Sequence, residues 1–287
     1  MNMRKLFYFS IFSLILFSVC KTTPPVIKTP ELSLVYESIE APNPDNVILA
    51  YMLKIDNLMS SAGTAKIENW YAEINGQKVN SGLSLASPAE LPLKAMGSAS
   101  FPIKLTMDMA TLIAEGVGPS DEYQVNLIID LVLLFESAPP VNSRVSCFAA
   151  FPSIQAPGFS ITAIAIIKDV LINTKFKVTM KVDNPNPFPM DLSSFRFELY
   201  GNGLPWAEGT EKNLLKVPPK SSVETTLFLI MNFINMKRDL LDQIIRLQDV
   251  NYRFSGDAQV STGIDYLPGF NTGFDLSGYS KVTENDK

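Results

Sequence analysis

The sequence predicts an all-β protein: two tandem immunoglobulin-like (fibronectin III-like) β-sandwiches, each with one short helix, after an N-terminal signal peptide. Three observations carry that expectation. Many short segments alternate apolar and polar residues with a period of two, as half-buried strands do. Turn signals separate these segments at short intervals, the spacing of a sandwich. The chain also repeats itself. Leu53-Lys54-Ile55-Asp56-Asn57 lies 127 positions before Met180-Lys181-Val182-Asp183-Asn184, Asn75-Gly76 lies 127 before Asn202-Gly203, and Ser81-Gly82 lies 127 before Glu208-Gly209. Three features in one register read as a tandem duplication.

The 287 residues suit two ordinary domains, and a hydrophobic fraction of 46% with 18 Phe can fill two cores. A net charge of -5 offers no basic footprint, which argues against nucleic acid as a partner. Histidine is absent. That removes the commonest general base, the usual nucleophile–histidine pairs and the commonest transition-metal ligand, so no enzyme is expected.

Arg4 and Lys5 precede an apolar run from Leu6 to Val19 that ends at Cys20. A positive start and an apolar run too short to span a bilayer read as an export signal. The box Leu16-Phe17-Ser18-Val19-Cys20 resembles a bacterial lipoprotein signal, with Cys20 as the lipidated first residue of the mature chain, although Val19 replaces the usual small residue. The alternative is a plain signal peptide or an uncleaved anchor with Cys20 incidental. The expected organisation is a signal peptide over 1–20, an extended Pro-containing tether over 21–30, and sandwiches over 31–152 and 153–283.

In the first sandwich, Leu49, Tyr51, Leu53 and Ile55 form the inward face of a strand that ends in a corner at Asn57–Gly63. Trp70, Ala72 and Ile74 lead into the hairpin turn Asn75-Gly76, where both positions need positive φ. After a loop through Pro88 and Pro92, Phe101, Ile103, Leu105, Met107 and Met109 alternate with polar residues as a further strand. Thr111–Glu115 could make one helical turn. Tyr123–Phe135 is the last long strand, and because Ile128, Val132 and Leu134 make its second side apolar too, it is expected to be covered on both faces. Ala138-Pro139-Pro140 breaks it, and Val145–Phe151 closes the sandwich. Cys147 within that strand reads as a small apolar residue rather than a reactive thiol.

The second sandwich repeats this order. Phe159–Val170 is a first strand, and Phe176, Val178, Met180 and Val182 are the inward face of the next. Asn184-Pro185-Asn186-Pro187-Phe188-Pro189 cannot continue it: three prolines remove donors and hold the chain extended, while the Asn side chains bond nearby backbone. Phe195, Phe197 and Leu199 lead to the turn Gly201-Asn202-Gly203. After the loop Leu214–Lys220, Leu227, Leu229, Met231 and Phe233 form a strand. Met236–Leu247 carries apolar residues at helical spacing and would plug one end of the sandwich. Val250, Tyr252 and Phe254 begin a strand interrupted by Gly256, and the polar tail after Tyr279 is expected to fray.

With those residues in place, about 155–280 resembles the group-2 late-embryogenesis-abundant family (LEA type 2), whose shared unit is the water-stress and hypersensitive-response (WHy) domain. The resemblance rests on Val182 to Pro189, Phe197 to Gly203, the turn at Glu208-Gly209 and the Val-Pro-Pro-Lys-Ser-Ser step at 217–222. Residues 31–150 match only through the second copy. The resemblance implies a small β-sandwich with no catalytic centre, associated with desiccation and other stresses, and often found in exported bacterial lipoproteins. Asn184, Pro185, Asn186, Pro187, Phe188 and Pro189 are then a structural corner.

No phosphate loop, zinc spacing or EF-hand loop is present. Asp183, Asp191 and Glu198 could suggest a cation site but read as a solvated strand face, and Trp70 and Trp206 read as packing. No catalytic residue, cofactor or metal is expected. The leading expectation is a non-enzymatic stress-protective lipoprotein of the cell envelope, held to the membrane through Cys20 and facing periplasm or exterior. The alternative is an envelope adaptor that docks a protein partner through sandwich edges or loops.

Overall fold

The computed structural model describes residues 29–79, 81–118, 120–167, 175–212, 215–230, 250–280 and 282–284. Cys20, the expected signal peptide, most of the expected tether and the helix expected at Met236–Leu247 lie outside them.

The first half of the chain runs β1 (Glu31–Asn43), β2 (Asn46–Asn57), β3 (Gly63–Ile74), β4 (Gln77–Val79), β5 (Leu83–Ala86), β6 (Leu91–Leu93), β7 (Gly97–Asp108), α1 (Met109–Ala114), β8 (Glu122–Phe135) and β9 (Ala138–Pro152). These strands form two antiparallel sheets, ordered β1-β2-β7-β5 and β4-β3-β8-β9, with β6 added to β3. The second half runs β10 (Gly158–Ile167), β11 (Lys175–Asn184), β12 (Met190–Gly201), β13 (Leu204–Glu211), β14 (Leu215–Val217), β15 (Ser221–Ile230), β16 (Val250–Ile264), β17 (Leu267–Ser280) and β18 (Val282–Glu284). Its sheets are ordered β15-β11-β10-β18 and β13-β12-β16-β17, with β14 added to β12.

Each alternating run buries its apolar side. Leu49, Tyr51, Leu53 and Ile55 of β2 are buried, as are Phe176, Val178, Met180 and Val182 of β11. In the second half, rings join the two sheets: Phe176 stacks on Trp206 with centroids 5.1 Å apart, and Phe159 meets Phe274 at 5.0 Å. Trp206 is therefore a core residue, and Trp70 packs half-buried at the core margin.

The two halves match register for register. Tyr51 pairs with Ile103 in the first half, and Val178, 127 positions later, pairs with Leu227, 124 positions after Ile103. Asn75-Gly76 and Asn202-Gly203 have φ of 51° and 79°, and 49° and 77°, values that favour Asn and Gly. Gln124 N donates to Asn75 Oδ1 and Asn251 N to Asn202 Oδ1, at 2.9 and 3.1 Å. The third sequence match fails. Gly209 continues β13 opposite Phe197, whereas Gly82 sits at φ 72° where the chain leaves β4 and crosses to the other sheet as β5.

Other departures have local causes. β1 has no clean alternation because it is an edge strand with two register shifts, burying little beyond Leu34 and Ala41. Pro139 and Pro140 do not end a strand. They lie within β9 at the shift between its Val141 and Ala138 pairings, on a sheet edge where missing donors cost little. Gly256 does not interrupt β16; a Cβ there would lie 2.0 Å from the Arg196 carbonyl oxygen, so its absence lets β12 approach. Val282–Glu284 does not fray but runs parallel to Ile164–Ile166. α1 begins at Met109 instead of Thr111, because the Asp108 carboxylate caps it by accepting from Thr111 N at 3.1 Å.

The outer side of β8 is not covered as expected. Ile128 is buried there between its register partners Tyr71 and Ser146, but Leu134 is 37% exposed and Phe148 of β9, opposite Asn126, is 57% exposed. Cys147 is half-buried and packs against the core. Among the described residues no helix is long and apolar enough to cross a membrane.

Candidate functional site: the asparagine corner and its cleft

Strand β11 ends at Asn184, and the three following prolines withhold the donors a continued ladder would need. The buried Asn side chains take over the bonding. Asn184 Nδ2 donates to the carbonyl oxygens of Phe188 (2.8 Å), Pro218 (3.1 Å) and Val217 (3.2 Å). Its Oδ1 accepts from Asn186 N at 2.9 Å and Asn186 Nδ2 at 3.1 Å. Asn186 is fully buried and grips the segment between β9 and β10: its Nδ2 donates to Gln155 O and its Oδ1 accepts from Gln155 N, both at 2.8 Å. Lys220 N closes the corner by donating to Asn186 O at 3.0 Å. Phe188 is half-buried against the core.

The first half keeps the principal pin without the prolines. Asn57 Nδ2 donates to Ser61 O (2.9 Å) and Lys94 O (2.8 Å), and Asn57 Oδ1 accepts from Met59 N (3.0 Å). Ser61 and Met59 each stand 127 positions before Phe188 and Asn186, which do the same for Asn184. Met96 N donates to Met59 O at 2.9 Å, as Lys220 N does to Asn186 O, and both donors have positive φ, 49° and 50°. The second asparagine is what the first half lacks: Met59 stands in its place and has no amide.

Beside the second corner lies an open cleft of about 430 Å³, lined chiefly by Asp121, Gln155, Asp183, Asn184, Lys220 and Ser222. Its charges are engaged by one another. Lys220 pairs with Asp121 of the first half. The Asp183 carboxylate accepts from the Ser222 hydroxyl and pairs with Lys181 at 2.9 Å. The Ser222 bond, then Lys181, hold the Asp183 carboxyl below the usual carboxylate range. Asp191 and Glu198 do not join Asp183. They lie on β12 in the other sheet, and Glu198 accepts from Tyr200 Oη at 3.0 Å. Among the described residues no group of three or more acidic or cysteine side chains could hold a metal ion.

A second cleft, about 770 Å³, opens among Tyr200, Asn251, Tyr252, Arg253, Ser277 and Tyr279. Arg253 forms a two-pronged pair with Asp275 there, at 2.9 and 2.7 Å. The first cleft offers hydrogen-bonding groups, its Ser222 hydroxyl turned to Asp183, and the second adds tyrosine ring surface.

Gln155, Asp121 and Lys220 were not visible as partners in the sequence, since they converge only once the two halves fold. Asn57, read only as the start of a corner, carried a local signal: its side chain bonds the backbone two residues on, the habit of Asn in turns.

These features define a nearly all-β protein organised around buried asparagine corners. Residues 179–266, which contain the second corner, match the family model described as Late embryogenesis abundant protein, and this supports the LEA type 2 family. No curated protein matches the chain. Among solved structures, a protein from Archaeoglobus fulgidus is 16% identical, with a TM-score of 0.30, over 44% of this chain and 95% of its own. The periplasmic chaperone SfaE is 13% identical (TM-score 0.24, 90% of this chain and 100% of its own). Red sea bream transglutaminase is 12% identical (TM-score 0.26, 91% of this chain and 32% of its own). Likenesses this weak carry no functional conclusion.

Proposed function

We propose that the chain is a non-enzymatic stress protein of the LEA type 2/WHy kind, exported and held at the cell envelope by a lipid on Cys20. It is built from two tandem copies of one immunoglobulin-like sandwich, 31–152 and 153–283, and protects other envelope components during desiccation or related stress. The observation that carries this reading is the family match over 179–266, with the asparagine corner inside it. The recurrence at Asn57 of three of the Asn184 bonds, at matching positions, supports duplication of that unit. The family is generally non-enzymatic, and the absence of histidine from the sequence is in keeping with that.

The test is an enzyme-protection assay through drying and rehydration, with the full chain compared at equal mass with albumin and with an unrelated double β-sandwich. Protection beyond both controls supports the reading, and protection no better than albumin removes it. Metabolic labelling with a radioactive fatty acid tests the anchor: label lost on Cys20→Ser supports lipidation, and no label on the native chain excludes it.

A further inference from the structure

The two halves differ at one sheet edge. In the first, β5 covers the outer side of β7, pairing Leu83 with Met107, Ser84 with Thr106, Leu85 with Leu105 and Ala86 with Lys104. In the second, the counterpart of β7 is β15, but Thr210 and Glu211, 127 positions after Leu83 and Ser84, continue β13 on the other sheet, and among the described residues nothing pairs with the outer side of β15. The open positions follow from shared register. Ala50–Lys104 in the first half corresponds to Lys177–Phe228 in the second, and Ile48–Thr106 to Lys175–Ile230.

The direction of the backbone groups follows too. Asp108 N donates outward to Gly82 O at 2.8 Å, so Lys104 and Thr106, in the same phase, also present their N–H and C=O to β5. Pro102 shares that phase, where its missing donor breaks no bond to β2. By the same register, Thr226, Phe228 and Ile230 aim their backbone groups at the open edge of β15. Free edges are normally guarded by charge or proline, yet Thr225 to Ile230 contains neither. Phe228, 55% exposed, replaces the Lys104 of the covered edge.

We propose that the outer edge of β15 is a strand-addition site for an extended polypeptide segment, running antiparallel, with an apolar residue at every second position. The chain's own β5 shows the chemistry of such an occupant: Leu85 lies opposite Leu105, whose counterpart Leu229 is buried, while small Ser84 and Ala86 occupy the outer phase. Opposite Phe228, an apolar residue in the place of Ala86 covers the exposed ring.

The test uses hydrogen–deuterium exchange on the full chain in mild detergent, with a synthetic peptide of residues 81–88 as probe. At saturating peptide, exchange in the fragment spanning 221–230 slows about tenfold or more, and Phe228→Pro, which removes an edge-facing donor, abolishes the slowing. Because Phe228→Pro could unfold the sheet, Thr226→Pro is run beside it. Pro102 already stands at the matching position of β7, so this variant keeps the fold and weakens binding. Three results overturn the proposal: the fragment is already protected in the monomer, protection rises with protein concentration alone, or saturating peptide changes nothing. The first means that the chain covers its own edge and the second that another copy does. Edge binding and drying protection are measured separately, so either can fail without the other.

Discussion

Asn184→Ala and Asn184→Asp together test whether the corner is held by the asparagine amide. In the native corner two amide hydrogens are shared among the carbonyls of Phe188, Val217 and Pro218, and Oδ1 satisfies the buried N–H of Asn186. Truncation to Ala leaves at least two buried groups without partners. At about 1–3 kcal/mol for each buried group left unsatisfied, the expected loss is about 2–6 kcal/mol. For a half of this size that lowers its Tm by on the order of 10 °C. The Asp variant is nearly isosteric but turns a donor into a carboxylate facing carbonyl oxygens. At neutral pH it is expected to be less stable than the Ala variant. Burial among acceptors raises the folded pKa of the new carboxyl, so its penalty is present above the unfolded pKa and shrinks as pH falls and the group protonates. The assay is urea unfolding followed by tryptophan fluorescence, since Trp206 lies in the core of the same half. Both variants falling within about 0.5 kcal/mol of wild type, the range of ordinary surface changes, would refute this account of the corner.

Other expectations follow from the same geometry. Phe176→Ala empties a fully buried ring site stacked on Trp206 and should cost about 3–5 kcal/mol by urea denaturation, with a changed tryptophan emission maximum. Arg144→Ala and Arg253→Ala break well-formed but solvent-exposed pairs with Asp130 and Asp275, and should move the urea midpoint only slightly. The carboxyls of Asp108, Asp130, Asp183 and Asp275 are all held below their ordinary range by hydrogen bonds from Thr111, Arg144, Ser222 and Arg253 respectively. Their contribution is present above the unfolded value of about 3.9 and lost as pH falls through the depressed folded values. With no histidine to titrate, the urea midpoint should be flat from about pH 5 to 8. On the alkaline side, burial pushes the Tyr266 phenol up to about 12, so its contribution is lost as pH rises above the unfolded value of about 10.

Much of the strand order was legible because period-two alternation is a local property. Phe176 to Val182 and Leu49 to Ile55 needed only neighbours in sequence to declare their buried face. The turns Asn75-Gly76 and Asn202-Gly203 were legible because positive φ restricts residue choice. What failed depended on neighbours in space. Pro139 and Pro140 looked like strand breakers until β9 proved to be an edge, and Gly256 looked like an interruption until the backbone of Arg196 lay against it. The second apolar side of β8 suggested a covering layer, whereas flanking strands bury only Ile128 and leave Leu134 partly in solvent. At the site, the asparagines announced a backbone role through their prolines. The grip of Asn186 on Gln155, and the meeting of Lys220 with Asp121, depend on contacts 31 and 99 positions apart, which no local pattern encodes.

On the proposed function, this chain protects other proteins through its folded surfaces and not by mere mass or composition. The most direct measurement dries a labile enzyme with the native chain, and in parallel with Asn184→Asp under conditions where that variant is unfolded by circular dichroism, at equal mass. Rehydrated activity high with the folded chain and at the albumin level with the unfolded one is the result expected. Equal protection by both would contradict the claim.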